Sequence, residues 1–110
     1  MLIQSDIPRS ASLTFLGLPR EEGEIWQRRF TRHSAIGFAG ELTHAGYKNI
    51  PVSYLLCEDD LVIPFKNQRD GVELVVKESE KKVGVMPIKA GHFPMVSQPQ
   101  KVVDWILNLT

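Results

Sequence analysis

Hydrophobic and polar positions follow a helical period in the first half of the chain. From Pro19 to Thr31 the spacing predicts an amphipathic helix, because Trp26 and Phe30 fall four residues apart on one face. Proline suits the first helical position, and the acidic residues that follow it complement the positive end of the helix dipole. The predicted buried side of this helix consists of Leu18, Ile25 and Trp26.

The segments on either side of this helix are predicted to be less regular. Residues 1–12 contain Pro8 and three serines, which is typical of an extended and flexible lead-in. Ser34 is a good cap for a short second helix that ends at Phe38, and the stretch from there to Lys48 predicts irregular structure. We therefore expect helical elements over residues 13–50.

Two short apolar runs in the second half predict β-strands. Val52 to Cys57 is a nearly continuous apolar run, as expected for a strand that is covered on both faces in a parallel sheet. Val83 to Ile88 is a second strand, although Gly84 and Pro87 interrupt it.

A helix is predicted after each of these strands. Between Phe65 and Ser79 one face is apolar and the other is charged; the apolar positions are Phe65, Val72, Val75 and Val76. Near the C-terminus, Ser97 and Gln100 form a capping-box pattern ahead of an apolar stripe that continues to the end of the chain.

The order strand, helix, strand predicts an α/β fold with a parallel βαβ unit over residues 51–110. Parallel strands end at the same edge of a sheet, so the loops after the two strands should meet there. The first loop carries Glu58, Asp59 and Asp60, and the second carries His92. The Asp60 and His92 side chains are expected within hydrogen-bonding distance of each other.

A carboxylate beside an imidazole is the acid and base pair of many hydrolytic enzymes. The carboxylate fixes the tautomer of the ring and stabilises its protonated form, which leaves the other ring nitrogen free to act as a base. In the α/β-hydrolase order of nucleophile, acid and histidine, a serine in a Gly-x-Ser-x-Gly turn precedes this pair. No serine of these 110 residues lies in such a turn.

The second half of the chain resembles the last third of an α/β-hydrolase. The matching segments are residues 51–64, with Gln68 after them, and residues 88–99. They are most similar to the branch that contains small-molecule carboxylesterases, methylesterase-like enzymes, hydroxynitrile lyases and related fungal hydrolases. More loosely, residues 18–47 resemble the cap that covers the substrate pocket in that family.

This resemblance implies roles for particular residues. Asp60 corresponds to the acid of the catalytic triad and His92 to its base. Trp26, Phe30 and Phe38 in the cap-like segment would line an apolar substrate pocket, and they would equally suit the small core of that segment. Residues 13–110 are thus expected to form a partial hydrolase domain that lacks the nucleophile and is inactive alone.

Simpler interpretations of the same residues stay open. Glu58, Asp59 and Asp60 are compatible with a solvated acidic turn, and adjacent carboxylates are poorly placed to bind one magnesium ion. Cys57 ends a buried strand and is expected to be an inert thiol. The arginines around Phe30 suit an ordinary charged helix face, and neither His33 nor His44 receives a role.

Composition narrows the classes of partner. Thirteen basic and thirteen acidic side chains give no net charge, which argues against nucleic acid and anionic membranes as partners. A single cysteine excludes an intrachain disulfide, the three histidines show no zinc-ligand spacing, and no cofactor is expected. Without a signal-peptide core or a membrane-length apolar run, a cytoplasmic location is expected.

Two functions of different classes follow as hypotheses. The first is an esterase-type hydrolase portion that acts on a small apolar ester once an amino-terminal half from another chain completes it. The second is a non-catalytic binding module that uses its exposed sheet edge, or its aromatic cap, to hold a partner or a small apolar ligand. Exposed edges of apolar strands also predict self-association.

Overall fold

The computed structural model describes residues 6–110, which form an incomplete α/β fold as the strand and helix order predicts. The helices are α1 (Ile7–Thr14), α2 (Arg20–Arg28), α3 (Phe65–Ser79), α4 (Pro94–Ser97) and α5 (Pro99–Asn108). The strands are β1 (Ser53–Cys57) and β2 (Gly84–Ile88), and single 3-10 turns span Ile36–Phe38 and Gly46–Lys48. None of the helices in this described part has the length and apolar character needed to cross a membrane.

The βαβ unit organises the second half of the molecule. β1 and β2 pair in parallel, with Ser53 opposite Gly84 and Cys57 opposite Ile88, and α3 connects them. The prediction for α3 is confirmed at both ends. Pro64 fixes the backbone just before the helix, and Glu80 closes it in the left-handed conformation (φ 57°).

The outer edge of β2 lacks one backbone hydrogen-bond donor. At the two ends of the ladder, the Gly84 N–H donates to the Val52 carbonyl (3.1 Å) and the Glu58 N–H donates to the Ile88 carbonyl (2.9 Å). Because backbone groups alternate sides along a parallel strand, Pro87 faces away from β1. Proline has no N–H to donate, so the outer edge of β2 lacks a donor at this position.

The expectation that β1 is covered on both faces is wrong for most of the sheet. On β1, Leu56 and Cys57 are buried, whereas Ser53 and Tyr54 are exposed. On β2, Ile88 is buried, whereas Val85 and Met86 are 45% and 46% exposed. The physical reason is that the flanking helices cover the sheet loosely. A cleft of about 390 Å³ lies between the sheet and α3, and another of about 440 Å³ lies between the sheet and α5.

The extended conformation predicted for residues 1–12 is wrong from Ile7 onward, and residues 1–5 lie outside the described part of the chain. The Asp6 side chain caps α1 by accepting from the Arg9 N–H (3.1 Å), and Pro8 occupies the first turn, where a missing N–H costs little. Ala11 is buried, and α1 packs against α2. Whether a separate flexible lead-in precedes the domain stays a prediction.

Helix α2 lies where the pattern predicts it, but it buries a different face. Gly23 and Gln27 are buried, whereas Ile25 is 52% exposed, so the predicted buried position of Ile25 is wrong. The reason is the approach of α1. A Cβ on Gly23 would lie 3.3 Å from the Phe15 Cβ, and this small residue therefore lets the two helices pack closely.

Two capping predictions are also wrong. Ser34 does not cap a helix, since the turn at Ile36–Phe38 begins after Ala35. Ser97 is the last residue of α4 instead of the cap of the final helix, and α5 begins after Gln98 because Pro99 fixes its first turn. The Gln100 side chain bonds to Asp104 instead of closing a capping box.

Candidate active site

Asp60 and His92 meet where the two parallel strands end. His92 Nδ1 lies 2.9 Å from Asp60 Oδ2, which confirms the predicted approach of these side chains. The Asp60 side chain is 6% exposed and the His92 side chain 25% exposed. One member of the pair is therefore enclosed by protein, while the other reaches the surface.

The second oxygen of Asp60 anchors it to its own loop. Oδ1 accepts hydrogen bonds from the backbone N–H groups of Val62 (2.8 Å) and Ile63 (2.9 Å). Both carboxylate oxygens thus have fixed partners. This orientation leaves Oδ2 directed at the imidazole.

The hydrogen bonds determine the charge state of Asp60. Burial alone would raise the pKa of this carboxyl, but the bonds from His92, Ile63 and Val62 outweigh burial and hold the pKa below its ordinary value. An ionised carboxylate only accepts hydrogen bonds, so the proton of the contact belongs to His92 Nδ1. Nε2 of a neutral His92 ring is then unprotonated and able to accept a proton.

Backbone bonds beyond the strands join the two loops. The Glu58 N–H donates to the Ile88 carbonyl, and the Asp59 N–H donates to the Ala90 carbonyl at 3.1 Å. The parallel pairing of β1 and β2 therefore continues into the loops that carry Asp60 and His92. This continuation is why the strand topology brings acid and base together.

Gln68 is a residue of this site that the periodicity argument did not single out. Its side chain is buried on α3 and bonds to the backbone of Cys57 and of Ile63, on either side of Asp60. The sequence did contain a signal. Gln68 falls on the same helical stripe as Phe65, Val72 and Val75, and a polar residue at such a position needs a buried partner.

An aromatic cluster adjoins His92. Phe93 stacks on Phe15 with ring centroids 5.1 Å apart, and Phe30 lies 5.7 Å from Phe15 and 5.8 Å from Phe93. Trp26 extends the cluster, 6.5 Å from Phe15. The His92 ring meets Phe93 edge-on at 5.0 Å. The α1–α2 hairpin thereby contacts the loop between β2 and α4 (residues 89–93, the histidine loop) through aromatic side chains.

The structure brings two of the three predicted pocket residues to this cluster. Trp26 and Phe30 belong to it, together with Phe15 and Phe93, which the sequence did not suggest. Phe38 does not: its side chain is 72% exposed and packs on His33, with ring centroids 4.7 Å apart. Phe38 lies in an isolated, exposed turn, and no other part of the described chain packs this turn against the cluster.

Gly91 makes the close approach of these parts possible. A Cβ at this position would lie 2.9 Å from the Leu16 carbonyl oxygen and 3.0 Å from the Leu16 Cβ. Gly17, beside Leu16, has φ of 100°, which glycine adopts without strain. A glycine on each side of the contact therefore lets the α1–α2 linker lie against the histidine loop.

The other candidate residues do not join the pair. Glu58 and Asp59 are exposed, as expected for a solvated turn, and no three metal-binding side chains of residues 6–110 form a group. Cys57 is buried, and burial, with the nearby Asp60 charge, raises the pKa of its thiol, which makes the thiolate scarce. His33 and His44 are exposed.

Sequence comparisons relate the chain to known proteins. A sequence model of the alpha/beta hydrolase family matches residues 4–105. Probable hydrolase R7 of Phoma sp. (strain ATCC 20986 / MF5453) is 39% identical over 77 residues, which cover 70% of this chain and 32% of that protein. Alpha/beta hydrolase nvfD of Aspergillus novofumigatus (strain IBT 16806) is 37% identical over 67 residues, which cover 60% of this chain and 25% of the relative.

The matched segment is short compared with these relatives. The chain spans about a third of the first and a quarter of the second. No solved structure matches the chain significantly.

Proposed function

The chain belongs to the alpha/beta hydrolase family, and from this premise we propose that Asp60 and His92 are the acid and base of a hydrolytic triad that cleaves small apolar esters. The nucleophilic hydroxyl comes from a segment outside these 110 residues, so the chain alone is inactive. The observation that carries the proposal is the 2.9 Å contact between His92 Nδ1 and Asp60 Oδ2, with Oδ1 held by two backbone N–H groups.

The pair supplies proton transfer. His92 Nε2 takes the proton from the nucleophile as its oxygen bonds to the ester carbonyl carbon. The protonated ring, stabilised by Asp60, then gives that proton to the leaving alcohol oxygen as the C–O bond breaks, and the acyl group stays on the nucleophile. A water molecule then attacks the acyl carbon while His92 Nε2 takes its proton. The protonated ring returns that proton to the nucleophile as the carboxylic acid product leaves. The cluster of Phe15, Phe30 and Phe93 supports an apolar substrate, since it lies against His92.

The experiment compares ester cleavage by the chain alone with cleavage in the presence of a complementary half. That half is the amino-terminal part of one of the fungal relatives, and the substrate is a chromogenic short-chain ester. We expect turnover only in the mixture, and a loss of at least about 100-fold with His92→Ala because general-base catalysis is removed. His44→Ala, which changes an exposed histidine, is the matched control and should retain activity.

Two results would contradict this function. Cleavage by the chain alone, with no added half, would refute an external nucleophile. Full activity of the His92→Ala variant in the mixture would refute the role of the pair. Mass spectrometry of the quenched mixture should find the acyl group on the added half.

A binding module remains the second candidate, favoured by one observation. An apolar cleft of about 430 Å³ lies between α1 and α2, with Ala11, Phe15 and Leu18 in its lining, and neither Asp60 nor His92 borders it. A small apolar ligand in this cleft would not need the acid and base. Saturable binding of such a ligand that is unchanged by His92→Ala, with no turnover in any mixture, would favour this function.

A further inference from the structure

The Gln68 side chain closes the segment that carries Asp60. Its Nε2 donates to the carbonyl oxygens of Cys57 (2.9 Å) and Ile63 (2.8 Å), and its Oε1 accepts from the Cys57 N–H (2.8 Å). Both hydrogens of Nε2 are therefore used. Cys57 precedes this segment and Ile63 ends it, so one amide joins its two ends.

The contact with Cys57 replaces a missing strand neighbour. Since Glu58 bonds toward β2, the alternation of the ladder turns the N–H and carbonyl of Cys57 to the opposite edge. Cys57 is buried, and buried backbone groups without hydrogen-bond partners destabilise a fold. The Gln68 amide offers one donor and one acceptor, as a peptide group of a neighbouring strand would.

The contact with Ile63 leads directly to the acid. The Ile63 N–H donates to Asp60 Oδ1, and Asp60 Oδ2 accepts from His92 Nδ1. Packing holds this part of the loop weakly, because Leu61, Val62 and Ile63 are 52%, 46% and 44% exposed. The backbone bonds to β2 fix the start of the loop, and Gln68 fixes its end.

We propose that Gln68 is a positioning residue for the Asp60–His92 pair. Its buried amide holds residues 58–63 in the conformation that directs Asp60 Oδ2 at His92 Nδ1. The catalytic consequence rests on the function proposed above. The positioning itself concerns hydrogen bonds within this chain and is testable without catalysis.

The first test measures amide hydrogen exchange by NMR in a Gln68→Met variant, which removes the amide at similar side-chain length. We expect the Val62 and Ile63 amides to exchange at least about tenfold faster relative to amides of α5, because their acceptor is no longer held. The Nδ1 proton resonance of His92 should broaden in the same variant, since its acceptor moves. If Gln68 only stabilised the fold, its replacement would not change the His92 Nδ1 proton resonance more than the resonances of other residues.

The matched control is Val72→Ala on the same stripe of α3. This variant loses packing but keeps the Gln68 amide, so it should change protection of the loop and of α5 by a common factor. Unchanged relative protection at Val62 and Ile63 in folded Gln68→Met, with the His92 resonance intact, would overturn the proposal.

A second measurement uses the unaltered chain and does not depend on the folding of a variant. The two Nε2 protons of Gln68 should resonate apart and exchange at least about tenfold more slowly than those of Gln100. The Gln68 side chain is buried and each of its protons has its own acceptor, whereas the Gln100 amide, which bonds to Asp104, is exposed. Equal exchange at the two glutamines would overturn the proposal. Should His92→Ala leave ester cleavage intact, the catalytic function fails, while these exchange data still decide the role of Gln68.

Discussion

The two oxygens of Asp60 divide between holding the loop and orienting the imidazole. Oδ1 takes two backbone N–H groups of its own loop, and Oδ2 takes the His92 ring. The carboxylate is therefore a structural cap and a functional partner at once. A change at this residue should affect the stability of the fold as well as any chemistry of His92.

The dependence of stability on pH should follow from the lowered pKa of Asp60. A carboxyl whose pKa is lower in the folded state stabilises the fold at pH values above its ordinary pKa of 3.8. This contribution is lost as the pH falls through the pKa of the folded state. Urea unfolding at neutral pH should show Asp60→Asn destabilised by about 1–3 kcal/mol. Below about pH 3.8 the difference from the unaltered chain should shrink.

Asp59→Asn is the control for this prediction, since Asp59 is the exposed neighbour of Asp60. Its unfolding curve should follow that of the unaltered chain at each pH. A difference between Asp60→Asn and the unaltered chain that grew on acidification would contradict the hydrogen-bond account.

At the residue scale, the sequence predicts the pair but not its support. Asp60 and His92 were predictable because each follows a recognisable strand, and parallel strands end together. The position of Gln68 on the apolar stripe of α3 indicated a buried polar contact, but its partners were not predictable, because they are backbone groups of Cys57 and Ile63, which leave no mark in a sequence. Phe15 and Phe93 are 78 positions apart, and no local pattern indicates that they stack.

At the scale of elements, predictions succeed where one local pattern controls the outcome. Helix α3 has an apolar stripe, a proline before it and no competing signal, and it lies where predicted. Helix α1 was missed because Pro8 and serines indicate irregular structure, whereas Asp6 and Pro8 together start a helix that packing on α2 completes. The cap of α5 was missed because Pro99 determines its first turn.

Two glycine substitutions should shift stability in opposite directions. Gly91→Ala places a methyl group 2.9 Å from the Leu16 carbonyl and should cost about 1–3 kcal/mol by displacing the α1–α2 linker. Gly71→Ala, within α3 and with nothing within 4 Å of its Cβ, should stabilise by about 0.5–1 kcal/mol through helix propensity. Free energies of unfolding from urea titrations measure both.

This pair of variants tests the contact between the hairpin and the histidine loop. Loss of the Phe15–Phe93 contact in Gly91→Ala should appear in NMR as ring-current changes at both residues. Equal stability of the two variants would show that Leu16 does not lie against Gly91 as described.

At the scale of the whole molecule, the chain is expanded. Its radius of gyration is 15.8 Å, compared with about 13 Å for a packed domain of this size. The buried apolar residues of the described part are few: Ala11, Phe15, Leu56, Cys57, Ile88 and Ala90. Much of the apolar surface of β2 and α5 therefore faces outward.

We expect the isolated chain to self-associate through this surface. Sedimentation velocity should show a weight-average mass above 12.4 kDa that rises with concentration. Ile106 and Leu107 on α5 are 49% and 64% exposed, and replacing both with lysine should weaken association at least about tenfold. Asn108→Lys adds charge on the same helix without removing apolar surface, and it should weaken association less. Monomeric behaviour at every concentration would contradict this expectation.

The missing donor at Pro87 has a consequence for how such assemblies end. A fibril of stacked strands grows only when each added chain offers hydrogen-bonding capacity on both flanks. In this molecule the β2 flank lacks a donor at Pro87, and the Gln68 amide occupies the β1 flank at Cys57. Clustering through apolar surface should therefore stop at small soluble oligomers and should not propagate into amyloid.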